Sequence, residues 1–300
     1  MIDRRHLMLA GAGAAGLAAC SPKEPGELIA PEVPADLSGF ALNVESWFAD
    51  DPFDARFDLA AKSGFGQVEF WFIDSWKRDA RILAGLAKSA GVKVAQIVGD
   101  APELGRPQTR AAFVENCKKS VENAAFLNCN IVTLTGHQDL EGISKADSLK
   151  HYADHMAAVA PIFEDAKIFA AIEPFNPYDH PGHFIYGSKD ALNIVNGIDS
   201  PYMKLNWDLF HMQRTEGELI GNLKRGASQI CYAQIADTPD RGQPGTGDVN
   251  YVNVIKALRA GGYGGPIGLE LWAKDKDYSR AIADIQTLAR ALSAKEKVVK

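Results

Sequence analysis

The sequence predicts a (β/α)8 TIM barrel of the α/β class, and three observations predict it. From Phe40 onward, eight short apolar runs alternate with eight longer amphipathic segments. The runs are apolar at successive positions, not at every second one, which marks strands buried on both faces of a parallel sheet. The stretch 39–296 also matches the roughly 250 residues that eight β/α units occupy. An open doubly wound sheet would want a Gly-rich turn after its first strand, and "NVESWFADDPF" has none.

The elements follow in order. The first strand, "FALNVE" (40–45), precedes a helix over 53–63, and Gly64 stands where that helix should stop. "GQVEFWF" (66–72) gives the second strand, with a helix over 75–90 closed by Gly91. "VKVAQIV" (92–98) leads to a helix over 107–127. There Ala112, Phe113, Cys117, Val121, Ala124 and Ala125 fall on one side, with the period of about 3.6 of an amphipathic helix. "CNIVTLT" (129–135) precedes a helix over 145–165, "KIFAAIE" (167–173) one over 188–197, and "YMKLNWD" (202–208) one over 214–226. The last units pair "QICYAQIA" (229–236) with 250–262 and "GPIGLEL" (265–271) with 277–293, with Gly264 between them as a helix stop.

The N-terminus reads as an address, not as fold. In "MIDRRHLMLAGAGAAGLAAC" a charged start with Arg4 and Arg5 precedes an Ala/Gly/Leu run and a small-residue end. The apolar run is too short and Gly-rich for a good membrane span. The paired arginines resemble a twin-arginine export signal, and Leu17-Ala18-Ala19-Cys20 resembles a bacterial lipobox. Residues 1–20 are therefore expected to be an export signal, with Cys20 lipidated as the first mature residue. Residues 21–38, rich in Pro and Glu, are expected to form a flexible tether to a catalytic domain at 39–296. The expected location is a bacterial periplasm, with any membrane contact made through the lipid anchor alone. The remaining Cys117, Cys129 and Cys231 are odd in number and lack CxxC spacing, so they read as small buried residues.

Composition narrows the function. The 300 residues are 46% hydrophobic and 23% charged, with net charge −6. An acidic chain without a basic stripe points away from nucleic acid and toward a small molecule. A homo-oligomer is left open.

The chemistry sits at the strand ends. Barrel enzymes place catalytic groups at the C-terminal ends of their strands. Glu173 ends strand five, Asp208 ends strand six, Gln234 lies on strand seven and Glu270 on strand eight, at spacings of 35, 26 and 36 residues. Each spacing is about one β/α unit, so four oxygen donors from consecutive strands can converge. Three such carboxylates repel one another without a cation. The set of three carboxylates and one amide oxygen is a hard-ligand set that suits Mg²⁺ or Mn²⁺. Glu69, inside "VEFWF", is expected to point into the barrel. Trp47, Trp71, Phe72, Phe175 and Trp272 fall at strand ends, where they could pack a sugar face or roof the core.

The motifs "EPFNPYDHPG", "LNWDLFHMQRTEGEL", "AQIADTPDRGQPGTGDVNY" and "GLEL" resemble the hydroxypyruvate isomerase family, among the xylose-isomerase-like barrels of sugar isomerases and epimerases. The resemblance is dense over 165–275 and thinner over 40–165; "GDAPELGRPQ" and "TGHQ" depart from the family's usual pattern. It implies a divalent cation held by Glu173, Asp208, Gln234 and Glu270. It also implies that Glu173 and Glu270 act as the acid/base pair around an enediolate. Arg241 would anchor the substrate, and His211 and His183 would line its pocket, with Glu69 a further candidate contact. The implied substrate is a small carbohydrate or keto acid. A non-catalytic sugar-binding lipoprotein would need no such proton shuttle. A barrel endonuclease would want more His ligands and a basic groove.

Overall fold

The structure is a computed structural model that describes residues 35–294. Eight parallel strands close into a barrel in chain order, with the first paired to the last. They are β1 (Phe40–Asn43), β2 (Gln67–Phe70), β3 (Lys93–Val98), β4 (Ile131–Leu134), β5 (Phe169–Ile172), β6 (Met203–Asp208), β7 (Ile230–Gln234) and β8 (Ile267–Leu269). The helices are α1 (Ala55–Lys62), α2 (Ala80–Ala90), α3 (Arg110–Phe126), α4 (Lys145–Ala166), α5 (Ser188–Ile198), α6 (Leu209–Thr215), α7 (Leu219–Gly226), α8 (Tyr251–Ala260) and α9 (Tyr278–Ser293). All eight expected strands form, each shorter by a residue or more than the apolar run that predicts it.

The segment 214–226 does not form one helix. Asp208 ends β6 and caps α6 at once, its carboxylate accepting the Phe210 N–H at 2.8 Å. Gly217, at φ 62°, then breaks the chain before α7. Likewise α2 starts at Ala80, not at 75, because Asp79 caps it by accepting from Arg81 and Ile82. Gly91 closes α2 in the left-handed conformation as expected, whereas the turn after α8 uses Gly262 at φ 97°, not Gly264. The expected signal, with Arg4, Arg5 and Cys20, lies outside the described residues. Of the expected tether only its last four residues are described, and there Leu37 is buried in the core.

Successive strand side chains face opposite ways, and the two faces differ in kind. Outward residues such as Leu42, Val68, Val132, Ile172, Leu205 and Leu269 join the helices in one large core. A second, smaller cluster takes Ala41, Ala95, Ile131, Ala171 and Tyr232. Above the alanines the interior turns polar: Asn43, Glu69, Gln96, Thr133, Asn206 and Gln234 are all buried. The β2–β3 and β6–β7 ladders slip register at Val68/Glu69 and Leu205/Asn206, each just where such a polar side chain enters. No helix among the described residues is long and apolar enough to cross a membrane.

Candidate active site

The loops at the C-terminal strand ends enclose a cavity of about 360 Å³, lined by Trp71, Phe72, Glu173, Phe175, His180, His183, His211, Gln234, Arg241, Glu270 and Trp272 among others. That is the scale of a small-molecule site. Glu173 follows β5, Asp208 ends β6, Gln234 ends β7 and Glu270 follows β8. All four are buried.

Arg241 is the fixed cation among them. It lies in the loop after β7 at φ 57°. One guanidinium nitrogen donates to Asp208 Oδ2 and to Glu270 Oε2, both at 2.9 Å. The guanidinium also lies 4.8 Å from the Phe210 ring centroid and 5.5 Å from that of Trp272. The Trp71 indole N–H donates to the other Glu270 oxygen at 2.6 Å. Trp71 is held in turn by Glu45, which accepts its backbone N–H at 3.1 Å and pairs with Arg78.

Glu173 has no such partner. Burial, then Glu270 and Asp208, push its carboxyl well above the usual carboxylate range. Burial likewise raises Asp208 to about 6 against the pull of Arg241. His211 Nε2 stands between the two, 3.6 Å from Glu173 Oε1 and 3.4 Å from Asp208 Oδ2.

His211 stands close enough to count as a ligand, since one donor atom each of Glu173, Asp208 and His211 lie within 4.8 Å of one another. Its hydrogen bonds argue for a different role. Asn176 Oδ1 accepts the backbone N–H groups of Tyr178 and Asp179 at 2.9 and 3.0 Å, which fixes the amide's orientation. Asn176 Nδ2 therefore faces His211 Nδ1 at 2.7 Å and donates to it. A neutral His211 then carries its proton on Nε2, toward the carboxylates. Burial, then Arg241, keep its pKa well below the usual histidine value.

Gln234 bridges the cavity and the barrel interior. Its Nε2 donates to Glu69 Oε1 at 3.1 Å and its Oε1 accepts from Asn206 at 2.7 Å. Asn206 reaches Thr133, which donates to Gln96. Glu69 is wholly buried, accepts from Asn43 as well, and does not line the cavity. It touches the cavity lining through Gln234. Burial, then Glu270, lift Glu69 to about 8. The Tyr232 hydroxyl interacts with Glu69 and pulls against that rise. Both press on Gly268, where a Cβ would come within 2.7 Å of Glu69 Oε2 and 2.8 Å of the Tyr232 oxygen.

The loop that presents Arg241 is tied to one residue. Asp237 Oδ2 accepts the N–H groups of Gly245 and Gly247, each at 2.9 Å, and Oδ1 those of Thr238 and Val249, each at 3.0 Å. Gly247 is required there, because a Cβ would fall 1.8 Å from the Thr238 carbonyl oxygen.

The family described as xylose isomerase-like TIM barrels matches residues 57–292. The chain belongs to it. Among its relatives, the hydroxypyruvate isomerase of Escherichia coli (strain K12) is 30% identical over 242 residues, covering 77% of this chain and 92% of that protein. A 2-oxo-tetronate isomerase of Haemophilus influenzae is 27% identical over 241 residues, covering 77% and 92%. A solved structure from Brucella melitensis, described as an AP endonuclease of family 2, superposes with TM-score 0.74 at 26% identity, covering 81% of this chain and 94% of that one. The IOLI protein, solved with a zinc atom, shares the fold at TM-score 0.70 and 19% identity, covering 85% and 98%.

In this xylose isomerase-like barrel the sequence pattern named the strand-end carboxylates, because strand ends are where such barrels put them. It offered Trp71 only as a ring at a strand end, and it did not name Asn176, Asp237 or His137. His137 is buried, lies in the "TGHQ" stretch after β4, and bonds the Glu173 carbonyl with Nε2 at 2.9 Å. The Asp…Gly-x-Gly spacing of "DTPDRGQPGTG" was a visible signal for the Asp237 loop. For the Asn176 contact with His211 and the Trp71 contact with Glu270 no local signal existed, since those partners lie 35 and 199 positions away.

Proposed function

We propose that this enzyme is a divalent-metal-dependent isomerase of a small sugar or hydroxy-keto acid, resembling in its reaction the hydroxypyruvate isomerase to which it is similar. One observation carries the reading: Glu173 and Glu270 line one cavity, a guanidinium ties Glu270 to a third buried carboxylate, Asp208, and the Glu173 carboxylate has no hydrogen bond among the described residues. A divalent cation fits this donor set. Glu173, Asp208 and Glu270 would supply charged oxygens, and the Gln234 carbonyl keeps a second lone pair beyond its bond to Asn206. The orphaned His211 Nε2 would then donate to a ligating carboxylate and not bind the ion. Such an ion, Mg²⁺ or Mn²⁺, supplies Lewis-acid polarisation of a substrate carbonyl.

The chain's own residues do the proton work. Glu173, whose carboxylate a bound cation would hold ionised against its burial, is suited to take a proton from carbon and return it. Glu270, fixed by Trp71 and Arg241, is the second acid/base group. Arg241 and His211 offer N–H donors toward a substrate oxygen. Return of the proton by the same Glu to the adjacent carbon, with the hydroxyl proton passing to the former carbonyl oxygen, gives an isomer; return by the other Glu to the same carbon from the opposite face gives an epimer. Both glutamates line the cavity, which keeps a sugar epimerase as the second reading. The net charge of −6 and the carboxylate-rich cavity do not favour a polyanion such as DNA.

The test is incubation of ketoses, aldoses and hydroxy-keto acids with the enzyme and Mg²⁺, Mn²⁺ or Co²⁺ in D₂O, read by NMR. Isomer or epimer formed only with metal supports the proposal. A ligand that binds without product or exchange would instead favour a sugar-binding lipoprotein. The address is part of the proposal: a twin-arginine signal around Arg4 and Arg5, and a lipid on Cys20. Replacing both arginines by Lys should hold the precursor inside the cell. A mature N-terminus found elsewhere than at Cys20 by mass spectrometry would refute the anchor.

A further inference from the structure

His137 and His183 are joined in a way that neither the metal set nor the acid/base pair requires. The segments that carry them are clamped together: Asp139 N–H donates to the Gly182 carbonyl at 2.9 Å and Phe184 N–H to the His137 carbonyl at 3.0 Å. His137 is wholly buried, and His183 lines the cavity. Their Nδ1 atoms stand 3.2 Å apart. On the far side, His137 Nε2 lies 2.9 Å from the Glu173 backbone carbonyl.

A carbonyl oxygen only accepts, so His137 Nε2 must carry a proton. A neutral buried His137 therefore has a bare Nδ1. Two ring nitrogens at hydrogen-bond distance need one proton between them, and it can come only from His183 Nδ1. A neutral His183 is then left with a bare Nε2. That atom points away from His137 and has no hydrogen-bond partner among the described residues.

We propose that His137 is a positioning residue that locks His183 in the Nδ1–H tautomer, so that His183 presents an acceptor to a hydroxyl of the substrate. One histidine thereby holds the backbone carbonyl of the acid/base glutamate and sets the polarity of its neighbour. The cavity then displays histidines of opposite sense: His211 with Nε2–H as donor, His183 with Nε2 as acceptor. The substrate it selects carries a free hydroxyl where it meets His183, and a ketone or aldehyde lacking that hydroxyl leaves the acceptor unpaired. This last step rests on the isomerase reading; the tautomer does not.

The experiment is ¹⁵N NMR of histidine-labelled, ligand-free protein at neutral pH, comparing wild type with His137→Phe and His137→Gln. The expected wild-type signal for His183 is a protonated Nδ1 and a bare Nε2. His137→Phe should move His183 to the commoner Nε2–H form, and His137→Gln, whose amide can accept from His183 and donate to the carbonyl, should restore the first. A wild-type His183 with its proton on Nε2 overturns the proposal, and so does a His183 tautomer unchanged by His137→Phe. Should the Phe variant fail to fold, the wild-type spectrum and the Gln variant still decide. Turnover on the sugar and keto-acid panel is followed beside it: the expected tautomer without turnover sinks the isomerase reading and leaves the role of His137 standing.

Discussion

Glu173, Asp208 and Glu270 are chemically alike, yet their surroundings give them different work. Asp208 accepts from Phe210 and Arg241, so its oxygens are already committed to structure and charge. Glu173 has a free carboxylate, and Glu270 is aimed by an indole and a guanidinium. Glu173→Gln and Glu270→Gln should each lower kcat by about 10²-fold or more, and saturating metal should not restore it. Asp208→Asn should behave as a lost ligand, with its rate recovering at excess Mn²⁺. Metal titration of kcat separates the two cases. Arg241→Ala strips the partner from two buried carboxylates at once. In chelator it should destabilise the protein by about 3–5 kcal/mol, read from urea unfolding. Added Mn²⁺ should shrink that loss, because a bound cation replaces the missing charge and stabilises the fold by mass action. An Arg241→Ala protein as stable as wild type in chelator would show that the bridge contributes nothing.

At the scale of elements, the loop from β7 to α8 shows how a site can hang on one side chain outside it. Asp237 gathers four backbone N–H groups, and the turn they define places Arg241. Asp237→Ala leaves those donors unpaired and should cost about 2–4 kcal/mol. It should also cut kcat/KM although Asp237 does not line the cavity. Activity unchanged in a folded Asp237→Ala protein would disconnect the loop from the site. The split between α6 and α7 has the same kind of cause. Asp208 has to end a strand and start a helix in one step, so the chain turns into α6 immediately and needs Gly217 to recover its direction.

For the molecule as a whole, the polar barrel interior makes stability depend on pH. Glu69 in the folded protein is raised from 4.5 to about 8 by burial. The folded state therefore holds this proton more tightly than the unfolded chain. Its contribution is fully present below pH 4.5 and is lost as pH rises through about 8. Glu69→Gln keeps the neutral shape and removes the titration. Relative to wild type, the variant should gain about 1.4 kcal/mol per pH unit across that window. Urea midpoints at pH 5 and pH 8 check this; parallel midpoints would mean Glu69 is ionised in the fold.

The sequence by itself determined the barrel, because alternating doubly apolar runs and amphipathic segments have few other ways to bury themselves. It also placed Glu173, Asp208, Gln234 and Glu270 at strand ends, because strand ends recur at one β/α unit. It could not determine what each donor meets. Trp71 reaches Glu270 across 199 positions of chain, and Gln234 reaches Glu69 across 165. Such pairings carry no local periodicity or cap to read. Barrel closure, which sets β1 beside β8, decided that Trp71 reaches Glu270 and that Glu69 serves Gln234 from below, and the packing of neighbouring units decided that Arg241 bridges two carboxylates and that His137 stands behind His183. Periodic burial is written along a chain, while hydrogen-bond partnership exists only once distant strands have been brought within about 3 Å of one another.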